Sequence, residues 1–265
     1  MALVFAAIMP HSPLLVPNIG KEHAEEFAAT LAARKELAEN FLAASPEAIL
    51  IVTTTGPSRP DSFIINFSPD YTSNFEQFGD LVTKWPATGY VTLANRLRER
   101  LEATFPLTVV TDAGLDYGSA IPLWLLTDIC RRPIVPLSIT TSLDTAINFG
   151  QALQEAILLD KRRIAVIASA DLSHRLNKKS PAGYSPKSKK FDQKLIEATK
   201  TTDLKGLIEL DTQTKETGCE DMPVLGALFG LLTDVGFSPR VLAYESPFGV
   251  GHLTLEYQLG AGLSQ

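Results

Sequence analysis

Apolar residues in this chain fall into short unbroken runs, separated by longer stretches with helical spacing. The runs Leu3–Met9, Ala48–Val52, Phe63–Phe67, Leu107–Thr111, Ile134–Ile139 and Arg163–Ala168 read as strands. Two more, Pro239–Tyr244 and Leu253–Leu259, close the chain. Helical patterns cover Lys21–Ala44, Tyr90–Thr104, Ile121–Cys130, Leu143–Leu159, Ser188–Thr199, Leu204–Glu209 and Met222–Leu232. Pro122 falls near the start of its segment, where proline is tolerated. Continuous apolar strands alternating with helices mean a sheet covered on both faces. With no repeat and no long Gly/Ser/Pro linker, the pattern predicts an α/β fold. It is a single domain over residues 1–265, with a central mostly parallel or mixed sheet and helices on both faces.

Composition narrows the function classes. The 265 residues are 45% hydrophobic and 20% charged, with a net charge of −6; mean hydropathy is +0.08. No basic block is interleaved with aromatics, so a nucleic-acid partner is not expected. No apolar run is long enough to span a membrane. The N-terminal run lacks a basic flank and breaks at Pro10, so a cleaved signal is not expected either, and a cytoplasmic location is the working assumption. Cys130 and Cys219 are then expected to stay reduced thiols.

Ligand sites in such folds gather where strands end. Four polar loops follow predicted strands: Pro10–Pro13, Thr53–Pro60, Asp112–Gly118 and Ser169–His174. His11 follows a buried strand between two prolines, where a stiff backbone can aim its ring into a cleft as ligand or catalyst. His174 ends SADLSH, where Asp171 or Ser173 could orient it as a general base; the plain alternative is a loop histidine capping backbone groups. His23 reads as a solvated surface residue and His252 as a packing or cross-strand contact. Glu220 and Asp221 precede an apolar helix, where carboxylates suit the positive dipole end. A carboxylate beside two imidazoles would equally suit Fe(II) with open positions. Cys219 is read as a buried structural thiol that could reach such a site.

MPHSPLLVPNIGKEH, LIVTTTGPSRPDSF, DAGLDYGSAIPL, ASADLSHRL with its following GYSPKSKKFD, and YESPFGVGH resemble the LigB-type class III extradiol ring-cleavage dioxygenases over about residues 5 to 257. The nearest branch by this resemblance is the Memo-like one of the AmmeMemoRadiSam system. The resemblance implies Fe(II) held by two histidines and a glutamate, with another histidine as acid/base toward a catechol. It puts His11 at the first ligand, His174 at the acid/base and Glu220 at the carboxylate, with Cys219 and Asp221 as alternatives.

Two positions depart from that pattern. A motif like SPHGP reads TTTGP here, so Thr55, a neutral oxygen, stands at the second metal histidine. A motif like LDHGxxxPL reads LDYGSAIPL, so Tyr117 stands at a further active-site histidine. Tyrosine can hydrogen-bond a phenolic substrate but cannot do imidazole's proton chemistry near neutral pH. Two functions follow from the resemblance. The first is Fe(II)-dependent ring cleavage of a small aromatic, using His11, Glu220 and Thr55 at the metal, His174 and Asp171 for proton transfer, and Tyr117 to position substrate; Zn(II) or no metal remain alternatives, and His252 is a candidate substitute ligand. The second is a non-enzymatic protein that uses the same cleft for a ligand or a partner protein. Family analogy suggests a homodimer, although no hydrophobic stripe demands one.

Overall fold

A computed structural model describes residues 2–127 and 131–260. Its strands are β1 (Leu3–Met9), β2 (Ala48–Thr53), β3 (Ser62–Asn66), β4 (Asp70–Phe75), β5 (Asp80–Thr88) and β6 (Leu107–Val110). They continue with β7 (Gly114–Leu115), β8 (Ile134–Thr140), β9 (Ile164–Ser169), β10 (Phe237–Glu245) and β11 (His252–Leu259). The helices are α1 (Pro17–Gly20), α2 (Ala28–Ala44), α3 (Val91–Leu101), α4 (Tyr117–Thr127), α5 (Leu143–Leu158), α6 (Ser188–Thr201), α7 (Leu204–Asp211), α8 (Thr214–Thr217) and α9 (Met222–Leu231). The chain is an α/β domain around a mixed eight-stranded sheet, ordered β10-β11-β1-β9-β2-β8-β3-β6. Its four middle strands are parallel and buried along nearly their whole length, as their unbroken apolar runs require.

That parallel core builds the rim. Met9 pairs with Ser169, and Val52 with Ala168, so β1, β2 and β9 finish side by side. The loops carrying His11, Thr53–Thr55 and Ala170–His174 therefore leave the sheet at one edge. One apolar layer, including Phe149, Leu225 and Phe229, lies between the sheet and α3, α5 and α9. The other, including Phe41, Ile121 and Leu125, lies under α2 and α4. A Cβ on Gly150 would stand 2.0 Å from the Ala227 carbonyl oxygen, and one on Gly230 2.1 Å from that of Ile147. α5 and α9 thus touch backbone to backbone, which sets the start of α9, with Asp221, against the rim.

Three segments differ from the sequence pattern. The 21–44 helix is divided: Lys21–Phe27 forms 3-10 turns, and α2 starts at Ala28, where the Glu245 carboxylate accepts from the Ala29 and Thr30 amides. The Ile121–Cys130 helix instead begins at Tyr117, and its residues 128–130, with the Cys130 thiol, lie outside the described residues. Pro122 is therefore inside α4 rather than in its first turn. A β4–β5 hairpin with β7 beside it forms a second, three-stranded sheet where no element was expected. Its buried positions, Tyr71, Ser73 and Phe75, alternate as a strand requires, but the polar Ser73 hides that period in the sequence.

Candidate functional site

Pro122 has no N–H for the Gly118 carbonyl one turn back, so that oxygen is open to another donor. Ser169 at the end of β9 donates its hydroxyl to it. Having spent its proton there, the Ser169 Oγ accepts from His11 Nδ1 at 3.1 Å. The His11 ring is thereby held with Nδ1 protonated and Nε2 turned to the carboxylates of Asp171 (3.7 Å) and Asp221 (3.8 Å).

The other two rim histidines are oriented alike. His174 Nδ1 lies 3.1 Å from the Leu172 carbonyl oxygen, which can only accept, so Nδ1 carries the proton. His252 Nδ1 donates to Asp171 Oδ1 at 2.9 Å, again leaving Nε2 without a proton in the neutral ring. These tautomers follow from the hydrogen-bond network. All three rings line one cavity of about 680 Å³, with Tyr117, Asp171 and Lys179 among its polar lining and Phe27, Phe78 and Phe248 among its apolar walls. Phe248 adopts a left-handed backbone (φ 54°), rare and strained for a bulky residue. Its ring packs on His23, 4.9 Å between centroids, which makes His23 a wall support rather than a free surface residue.

The charges fit this geometry. Burial works to lower the His11 pKa, but Asp171, Asp221 and Asp116 outweigh it and hold the ring above its ordinary value. Burial likewise works to raise Asp171, yet His11, His252 and His174 pull its carboxyl well below the usual range. Asp221 goes the other way: burial dominates and raises it, against His11 and the hydroxyl that Thr54 donates. Burial and the neighbouring carboxylates also raise Tyr117, so its phenol is a neutral donor near pH 7.

His11, Tyr117, Asp171 and His174, all singled out in the sequence, share the cavity. Of the three carboxylate-position alternatives, Asp221 is the one beside His11, and its Oδ2 also accepts from the Asp171 amide at 2.9 Å. Glu220 is exposed and lines an outer pocket instead. Cys219 is buried, its thiol donating to the Asp171 carbonyl at 3.9 Å. Thr55 lies on the far side of Tyr117, in a separate recess with Asp112 and Asp116. Its hydroxyl donates to Asp116 at 2.6 Å and accepts the Gly118 amide at 3.0 Å. Asp116, Ser169 and the Phe27, Phe78 and Phe248 walls were not singled out from sequence; an aspartate one residue before a helix was the only signal among them.

A metal centre of the type the resemblance implies was tested against this donor set. Among the described residues no group of three or more His, Cys, Asp or Glu side chains is arranged to hold a metal ion. The Thr55 hydroxyl is committed to Asp116 and Gly118, and Asp171 to His252 and the His11 amide. These residues do not fit a two-histidine, one-carboxylate iron site.

A parallel-centred sheet whose rim brings histidines and an aspartate to one cleft with aromatic walls defines the class of α/β fold to which the chain belongs. The chain belongs to the family of the catalytic LigB subunit of aromatic ring-opening dioxygenase, whose model matches residues 5–254. Protein CA_C1420 of Clostridium acetobutylicum is 25% identical over 258 residues, covering 92% of this chain and 55% of that protein. The chain thus spans about half the length of that curated relative. In fold, it is similar to the crystal structure of the uncharacterized protein JW3007 from Escherichia coli K12, with a TM-score of 0.69 at 20% identity. The match covers 96% of this chain and 99% of that one.

Proposed function

We propose that the cleft binds a small hydroxylated aromatic ring and takes a proton from one of its hydroxyls. The observation that carries this is the shared orientation of three imidazoles: each has Nδ1 fixed by a protein acceptor, and each lines the same aromatic-walled cavity. A ring hydroxyl donates to Nε2 of His174 or His252, which takes the proton. The oxyanion that remains on the ligand is met by the His11 ring, whose protonated form the neighbouring aspartates favour, by the neutral Tyr117 phenol and by Lys179. Asp171 holds His252 in the accepting tautomer and does not itself take up the proton, because its carboxyl is held far below neutral.

Catechol titrated at pH 7 tests this. An ionised catechol absorbs at longer wavelength than the neutral form, so the bound spectrum reports the proton directly. A red-shifted bound spectrum, lost in His174→Gln combined with His252→Gln, is the expected outcome. A bound ligand with the neutral spectrum would refute proton abstraction, and no binding at millimolar ligand would refute the cleft reading.

Iron-dependent ring opening is the finer reading that family membership favours. His11 and Asp221 would supply two donors for it, and the position at which the resemblance implies a second imidazole is Thr55. Fe(II)-dependent oxygen uptake with catechol, abolished in His11→Ala, would establish it over proton transfer alone.

A further inference from the structure

α2 carries two apolar stripes. Thr30, Ala33, Leu37 and Phe41 recur at helical spacing and are buried. A second stripe, Leu31, Ala38 and Leu42 with Lys35 among them, keeps the same spacing one position further on and lines a cavity of about 580 Å³. The facing walls include Trp124 of α4 and Leu14, which lines both this cavity and the cleft. Leu14, Leu31, Leu42 and Trp124 are only half-buried, so the described fold leaves this apolar surface partly wet. Displacing that water with an apolar group is favourable.

The charges around the cavity are unequal. Among the described residues Lys21, Arg34 and Lys35 line it against Glu39 alone. Lys21 and Lys35 have no ion-pair partner among the described residues. The Arg34 guanidinium lies over the Trp124 ring, 5.3 Å from its centroid, and so forms part of the wall. Lys21 holds a left-handed backbone (φ 41°) where the chain leaves α1 at the cavity edge, the kind of strain that gathers at ligand sites.

Size and length narrow the occupant. Small-ligand sites span about 300–1,000 Å³, whereas a protein partner of ordinary size covers about 800 Å² of surface. α2 rises about 16 Å from Leu31 to Leu42, and an extended chain advances about 1.2 Å per bond, so the stripe fits a tail of about twelve carbons. Lysine stems lie along apolar surface and carry their ammonium groups to its edge, where an anionic head would meet them.

We propose that the cavity between α2 and α4 binds the anion of a medium-chain fatty acid, its tail on the Leu31–Ala38–Leu42 stripe and its carboxylate at Lys21 and Lys35. This site is separate from the cleft and does not depend on what the cleft binds.

Calorimetry with octanoate, decanoate and decyltrimethylammonium, all below their micelle concentrations, tests this on the wild type, Lys35→Glu, Ala38→Phe and Leu42→Asn. A buried methylene is worth about a fourfold gain in affinity, so decanoate should bind about fifteenfold more tightly than octanoate. Decyltrimethylammonium has the same tail and the opposite charge, and should bind at least about tenfold more weakly than decanoate. Lys35→Glu, at an exposed position, should erase that preference and keep the binding of the tail. Ala38→Phe fills the cavity and should abolish binding. Leu42→Asn, at a half-buried position that tolerates change better, should weaken it about tenfold. Decanoate binding without any binding of catechol would keep this site while the cleft reading failed. No heat with millimolar decanoate, equal affinities for the two head groups, or decanoate binding undiminished in Leu42→Asn would each overturn the inference. A concentration-dependent dimer in sedimentation that Leu42→Asn disperses would overturn it too, by making a second copy of the chain the occupant.

Discussion

At the scale of single residues, one aspartate organises the cleft. Asp171 accepts from the His11 amide at 3.3 Å and from His252 Nδ1 at 2.9 Å, and it faces His11 Nε2. The linkage to stability has a definite sign. His11 is raised above its ordinary value, so its contribution is fully present below the unfolded pKa of about 6.5 and is lost as pH rises through the folded value. Asp171 is depressed, so its contribution is present above the unfolded pKa of about 3.9 and is lost only in strong acid. Urea unfolding of the wild type at pH 6 and pH 8.5 is expected to show lower stability at the higher pH. Asp171→Asn should flatten that difference and bring the His11 titration, followed by the NMR signal of its Cε1 proton, down toward 6.5 or below. An unmoved His11 midpoint in Asp171→Asn would show that Asp221 and Asp116 alone hold it up.

At the scale of elements, a helix defect and a strand end act together. The Gly118 carbonyl that Pro122 leaves open is the acceptor for Ser169, and Ser169 is the acceptor for His11. Ser169→Ala strands both ends of that chain and should cost about 1–3 kcal/mol in urea unfolding. Pro122→Ala returns an N–H to the same carbonyl, so the double variant should recover part of the loss; simple additivity would disprove the coupling. The α5–α9 contact is similarly specific. Gly150→Ala puts a methyl group into the Ala227 carbonyl and should cost about 1–3 kcal/mol through backbone displacement. Because α9 carries Asp221 at its start, the same variant should weaken ligand binding in the cleft.

Most elements were legible in the sequence because each strand of the parallel core is a closed apolar run. The β4–β5 hairpin was not, since one of its three inward positions is a serine. The divided α2 region was not, since its boundary is set by Glu245, more than two hundred residues away. In the site, His11 and His174 could be singled out because strand ends predict a rim, Asp171 because it precedes His174 in SADLSH, and Tyr117 only through the family resemblance of LDYGSAIPL. The choice of Asp221 over Glu220 could not, because adjacent residues at a helix start point in different directions. That direction is fixed by how α9 lies on α5.

At the scale of the whole molecule, family membership and chemistry separate. The LigB model covers residues 5–254 and the strand ends still form a cleft, but conserving an architecture does not conserve a ligand set. Three imidazoles with anchored Nδ1 atoms resemble the outer support that metal ligands receive. In the reading proposed above the same support would serve proton transfer, because the side chains that would complete a metal set are bonded to one another. Global stability distinguishes the two. A ligand at about 100 times its Kd stabilises the native state by about 2.7 kcal/mol. For a chain somewhat above 250 residues, that is a rise of several degrees in the unfolding midpoint, about 2–4 °C per kcal/mol. A true metal centre with a Kd of about 10 µM would therefore show plainly in about 1 mM Fe(II) or Zn(II) under anaerobic conditions. The donor set leads us to expect a midpoint unchanged within about one degree for both metals. A rise of several degrees that disappears in His11→Ala would instead mean that the cleft gathers a metal by rearranging Asp171 or Asp221, and the proton-transfer reading would give way to metal-assisted chemistry at the same residues.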